Sequence, residues 1–243
     1  MPLTMLQAEP DVARIFRWAQ GHGLMPRQGE GDVGYALHAL LCAVFGNLAP
    51  KPFLLQRDAR RPPKLLAYSQ QDETTLRLQA ASFAEPAALA ALGGLDRLAA
   101  KRMPDRFPAG HRLGFSVHLR PTVRQDRDGD RRKVREVDAF LAAIDGLPPE
   151  AGPSRGEVYR DWLARRLAPG ATLEQVTLDA FQLVEAQRRD ATRALRLRRA
   201  TPEASFSGIL RVTEPEAFAE LLARGVGRHR AFGFGMLLLR PVR

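Results

Sequence analysis

Gly225-Val-Gly-Arg-His-Arg-Ala-Phe-Gly-Phe-Gly235 sets one histidine and two arginines among four glycines. Ahead of it, Phe206 to Val212 alternates like a strand, and Glu214 to Arg224 carries apolar residues at helical spacing. Behind the first phenylalanine, Phe232 to Leu239 is apolar enough for a final strand. The ending therefore reads strand, helix, glycine-rich loop, strand. Gly225, Gly227, Gly233 and Gly235 allow a backbone to approach a ligand closely and expose N–H donors. Arg228 and Arg230 would neutralise phosphate, and His229 reads as a phosphate contact rather than a base. The Gly-Lys-Ser/Thr ending of a Walker loop is missing, and the helix precedes the loop instead of following it, unlike a dinucleotide fingerprint. A purely structural glycine turn is the plainer alternative, but this length and glycine density exceed what a turn needs.

Working outward, the first half repeats the same grammar. Residues 1–7 read as a strand, and Val12, Ile15, Phe16 and Ala19 mark a helix over Asp11 to Gln20. After a glycine-rich stretch from Gly21 to Gly31, Asp32 can cap a second helix running to about Phe45. Phe53–Gln56 and Leu65–Tyr68 form strands around an Arg-Arg-Pro-Pro turn, Pro86–Ala100 a helix, and Leu113–Leu119 a strand. Strand, helix, strand, strand, helix, strand is the ferredoxin-like order that RNA-recognition modules share. Beyond Arg120 come helices over Glu136–Ile144 and Glu157–Leu167 and an extended segment, Leu173–Ala186. The expected class is α+β, with two ferredoxin-like (RRM-like) domains in tandem over residues 1–120 and 121–243, the second degenerate.

Two further segments carry candidate chemistry. On the Asp32 helix, Leu37, Leu40, Leu41, Val44 and Phe45 make one apolar stripe, and His38 sits on its flank with Tyr35 one turn away on the same side. A histidine so placed can serve as acid or base; an ordinary flank histidine has the same spacing. Arg188 to Arg199 holds six arginines against one aspartate. Arg196 and Arg198 alternate with Leu195 and Leu197, which suits a β-hairpin arm whose basic face, with Arg188, Arg189 and Arg193, lies along an RNA duplex. A solvated charged loop is the alternative. Asp126, Asp128 and Asp130 suggest calcium at first sight, but Gly129 is misplaced for an EF-hand and basic residues intervene, so no metal site is expected.

The net charge of +10 favours a polyanionic partner. Only four of the 37 basic residues are lysine, and arginine's planar fork suits phosphate and base stacking, although a GC-rich genome also favours arginine codons. One cysteine, Cys42, rules out an internal disulfide, and with five scattered histidines it argues against structural zinc. No apolar run is long enough to span a bilayer and no signal-peptide pattern opens the chain, so a cytoplasmic location without membrane partners is expected.

The ending from Gly225 to Pro241 resembles the glycine-rich loop and last strand of the CRISPR repeat endoribonucleases, more narrowly the CasE type of the RAMP superfamily. Three other places, in order along the chain, are similar to that family: Pro2-Leu-Thr-Met-Leu6, Tyr35-x-x-His38, and Val158 to Leu167. The likeness is patchy between about 57 and 150, and an insertion around Asp138–Gly156 and the Gly21–Gly31 loop depart from the pattern. The resemblance implies metal-independent, cofactor-free cleavage of a CRISPR repeat hairpin, with His38 and Tyr35 catalytic. It implies 2′-OH attack, leaving 2′,3′-cyclic phosphate and 5′-OH ends, and retention of the crRNA beside other subunits of type I-E Cascade. A non-catalytic RNA-binding subunit and, from another class, a basic duplex-DNA-binding protein remain alternatives.

Overall fold

The computed structural model describes residues 2–25, 32–58, 60–125, 135–148, 152–189 and 195–242. Its first sheet contains β1 (Thr4–Ala8), β2 (Phe53–Asp58), β3 (Arg61–Ser69) and β4 (Ala99–Arg102) in the order β2-β3-β1-β4, every pair antiparallel. Between β1 and β2 run α1 (Val12–Gly21) and α2 (Val33–Phe45); between β3 and β4 run α3 (Glu73–Phe83) and α4 (Pro86–Leu92). Strand alternation divides the interior. Leu65 and Ala67 face the helices and pack with Leu6, Ile15, Leu37, Leu40 and Leu76. Leu66 and Tyr68, on the opposite face, join a second core with the C-terminal half.

That second core lies on a sheet of β5 (Arg112–Leu119), β8 (Ala171–Arg189), β9 (Leu195–Val212) and β10 (Leu238–Pro241), ordered β10-β5-β9-β8. Numbered by appearance within each sheet, both orders are 4-1-3-2, the antiparallel ferredoxin-like arrangement; the second is elaborated by a hairpin, β6 (Thr122–Gln125) with β7 (Arg135–Asp138). Helices α5 (Ala139–Ile144) and α6 (Arg155–Leu167) follow that hairpin, and α7 (Pro215–Arg224) precedes the glycine-rich loop. Trp162, Leu163 and Leu167 of α6 and Phe218 and Leu222 of α7 pack against Phe115, Leu119, Phe206 and Leu210 of the sheet. Tyr68 crosses from the first sheet, donating its hydroxyl proton to the Leu237 carbonyl at 2.9 Å. No helix among the described residues is long and apolar enough to cross a membrane.

Several expectations need correction. Leu113–Leu119 is a strand, but it belongs to the second sheet; β4 closes the first, so sheet membership changes between β4 and β5, ahead of residue 120. The helix expected over Pro86–Ala100 stops at Leu92, where Gly93 turns left-handed (φ 104°) and its N–H bonds back to Ala90 and Leu89 carbonyls. Residues 136–138 are strand rather than helix, because the Asp138 side chain accepts from Phe140 N–H and starts α5 only there. Residues 230–232 form a short 3₁₀ turn and regular pairing begins only at Leu238, not Phe232. Helix α3 had not been expected; Asp72 caps it by accepting from Thr75 N–H at 2.7 Å.

The extended segments prove to be one long hairpin. Pairing of β5 with β9 ends at Leu119↔Ala204, whereas β8 and β9 run on together to Arg189↔Leu195. The part beyond β5 projects as a two-stranded arm of roughly 25 Å at about 3.3 Å per residue. Arg188, Arg189, Arg196 and Arg198 lie on that backbone, as the alternation suggested. Arg193 and the Asp126–Asp130 cluster fall outside the described residues.

Candidate active site

Helix α2 is set by its cap and by its stripe. The Asp32 carboxylate accepts from Tyr35 N–H at 3.1 Å, and Ala36, Leu37, Leu40, Leu41, Val44 and Phe45 are buried. This leaves Tyr35 and His38 half-buried on the flank. His38 Nδ1 is 3.8 Å from the Cys42 sulfur one turn on. Burial, reinforced by the charge of Lys51, pushes the imidazole below its ordinary value of 6.5. His38 is therefore neutral near pH 7 and able to accept a proton.

The glycine-rich loop is cinched at its neck. Val226 N–H donates to Gly235 O at 2.8 Å, and Gly235 N–H to His118 O at 2.8 Å. A Cβ on Gly235 would collide with the Val226 carbonyl, and one on Gly227 would come 2.8 Å from the Trp162 ring. The four glycines all have positive φ, and Gly225, Gly227 and Gly235 serve close approach within the protein. At the tip, His229 is left-handed (φ 61°) and donates from Nε2 to Glu136 Oε1 at 2.6 Å. Its side chain is 5% exposed, and the imidazole anchors the loop to β7. Thr122 also donates to Glu136 at 2.6 Å, and Arg228 Nε lies 3.4 Å away. Burial works to raise the Glu136 pKa, but His229 and Thr122 hydrogen bonds with the His229 and Arg228 charges outweigh it and hold it at about 2.

Loop and helix meet at Phe232. Its ring lies parallel to Tyr35, centroids 6.2 Å apart at 7°, and edge-on to His38 at 4.9 Å. Sequence spacing paired Tyr35 with His38 but gave no sign that a residue from the far end of the chain stands against both. Phe232 also lines a cleft of about 1360 Å³ together with Lys51, Arg106, Arg224, Arg228 and Arg230. Arg230 donates to the Arg224 carbonyl at 2.7 Å.

A second cluster ties the loop to the base of the arm. Phe234 stacks on His118 at 4.9 Å and lies under the Arg120 guanidinium at 4.2 Å. Arg120 donates to Glu203 at 2.7 Å, and Gln182 to the same carboxylate at 3.1 Å. Burial opposes ionisation of Glu203, yet the His118 and Arg120 hydrogen bonds bring it down to about 2. Among the described residues no group of three His, Cys, Asp or Glu side chains is placed to hold a metal ion.

Fold and site together define a protein of two ferredoxin-like domains whose first carries a histidine–tyrosine pair against the glycine-rich loop of the second. The chain belongs to the CRISPR-associated protein family, whose model matches residues 8–241. Its fold is similar to that of a CRISPR endoribonuclease Cse3 bound to a 19-nucleotide RNA, at 21% identity and TM-score 0.63 over 99% of this chain and 100% of that one. A Thermus thermophilus Cse3 bound to an RNA representing a pre-cleavage complex aligns at 18% identity and TM-score 0.60, covering 99% and 100%. The CRISPR-associated protein Cas6e from Escherichia coli K-12 aligns at 18% and 0.55, covering 100% of each chain. No curated protein sequence matches.

Proposed function

We propose that this chain is a CasE-type endoribonuclease that cleaves CRISPR repeat hairpins in precursor crRNA and then keeps the crRNA as a Cascade subunit. The observation that carries the reading is the meeting of His38 and Tyr35 with Phe232 of the glycine-rich loop. Neutral His38 takes the proton of the ribose 2′-OH. The 2′-oxygen then bonds to the adjacent phosphorus and the bond from phosphorus to the 5′-oxygen breaks, the leaving oxygen gaining a proton. The products are a 2′,3′-cyclic phosphate and a 5′-OH, and the balance needs no metal or cofactor. Tyr35 positions the phosphate. Lys51, whose charge acts on His38 from the cleft wall, offsets the charge of the phosphorane.

The arm bearing Arg188, Arg189, Arg196 and Arg198 lies along the hairpin stem, Arg193 adds a further phosphate contact, and Arg228, Arg230 and the backbone of Gly225–Gly235 grip the strand near the reaction centre. The RNA-bound and surveillance-complex structures that share this fold support the partner assignment. The test is cleavage of the cognate repeat hairpin in EDTA by wild-type protein and His38→Ala. The variant should lose on the order of 10² or more in rate while still binding RNA. Wild-type binding without cutting would instead favour a purely RNA-holding subunit.

A further inference from the structure

Phe232 stands where three parts of the molecule converge. Its carbonyl oxygen lies so close to Gly34, in the first turn of α2, that no side chain fits there. Its ring covers Tyr35 face to face at 6.2 Å and meets the edge of His38 at 4.9 Å. Its N–H donates at 2.8 Å to the carbonyl of His229, the left-handed residue that Glu136 holds by its imidazole at 2.6 Å. Pro52 and Phe53, at the start of β2, pack against Gly225 and Gly233 respectively. An unbroken mechanical path therefore runs from β7 through the loop tip to the two candidate catalytic rings.

We infer that Phe232 is a positioning residue: its ring holds Tyr35 and His38 in their working orientation, and the His229–Glu136 pair fixes where that ring stands. The catalytic part of this inference rests on the nuclease reading above; the packing part does not. An aromatic wall edge-on to an imidazole restricts its rotation and shields one side from water. A nucleophile and base misplaced by about 1 Å lose on the order of 10²-fold in rate, so a wall of this kind has kinetic weight without touching substrate. RNA gripped by Arg228 or Arg230 would pull on the same loop that carries the ring, which links grip to chemistry.

The experiment combines two readouts on Phe232→Ala, Phe232→Leu and Phe232→Tyr. In RNA-free protein, an NMR titration of His38 should show its pKa rising toward 6.5 in Phe232→Ala, since burial is the main cause of its depression. Phe232→Tyr should leave the titration unchanged. On the repeat hairpin, Phe232→Ala should lose about 10- to 100-fold in single-turnover rate with affinity within about twofold, and Phe232→Tyr should restore the rate. Glu136→Gln should produce a smaller loss of the same kind. An unaltered His38 titration in Phe232→Ala overturns the inference, as does an unaltered rate in Phe232→Ala when the wild type cuts the hairpin. Should the wild type not cut the hairpin, the nuclease reading falls and the titration alone decides the positioning role. If Phe232→Ala does not fold, Phe232→Leu, which keeps bulk without a ring, must show intermediate values in both readouts or the inference fails.

Discussion

Burial and the Lys51 charge both favour the neutral imidazole of His38, so the chemistry should have an acid limb set by that residue. Cleavage is expected to be full above the depressed pKa and to fall as pH drops through it, at a point below 6.5. Lys51→Met should move the limb to higher pH, because it removes a cation that disfavours protonation; a pH–rate profile of both proteins checks this. Gly34→Ala belongs to the same scale. Its new methyl collides with the Phe232 carbonyl, a backbone atom that cannot rotate away. The expected cost is about 1–3 kcal/mol in a denaturant melt, with a loss of cleavage that exceeds the loss of RNA affinity. Spacing alone exposed Tyr35 and His38, since position on a helix flank is a local property. Phe232 and Glu136 were not legible, because the His229–Glu136 bond joins residues 93 apart and no local pattern encodes such a meeting.

Side-chain caps made some elements readable but not all: α3, capped by Asp72, went unread, and the Asp138 cap of α5 was passed over. Asp32 announced α2, and the Ser154-x-x-Glu157 capping box starts α6: Ser154 N–H donates to the Glu157 carboxylate at 2.8 Å and Ser154 accepts from Glu157 N–H. Ser154→Ala should therefore cost about 1 kcal/mol, seen as a lowered midpoint in thermal unfolding without change in RNA affinity. The Gly93-Gly94 pair was a stop signal lying inside an otherwise helical pattern, and the left-handed Gly233 and Gly235 fall inside the strand expected over Phe232–Leu239. The arm makes its own prediction. Replacing two of Arg188, Arg189, Arg196 and Arg198 by alanine should weaken RNA binding and reduce the slope of log affinity against log salt by about 1 for each phosphate contact removed.

Across the whole molecule, two depressed carboxylates bind the halves of the second domain together, Glu136 at the loop tip and Glu203 at the arm base. Both titrate at about 2 in the fold against 4.5 ordinarily, so each contributes stability that is present above pH 4.5 and lost as pH falls toward about 2. Stability should decline across that window, and Glu203→Gln should flatten part of the decline in a pH series of denaturant melts. The paired architecture was legible because strand alternation and helical spacing recur in both halves. What sequence order hid was that β5 opens the second sheet while Tyr68 of the first sheet bonds to Leu237, a partition settled by long-range pairing.

The neck between Val226 and Gly235 has a consequence for the order in which the molecule is made. The ribosome delivers α2 before the β8–β9 arm and the arm before the loop, so Phe232 reaches Tyr35 and His38 only after both strands of the arm have emerged. A nascent chain thus acquires its basic arm before its proposed reaction centre is complete. On the nuclease reading, translation itself delays cutting until the loop has followed the arm.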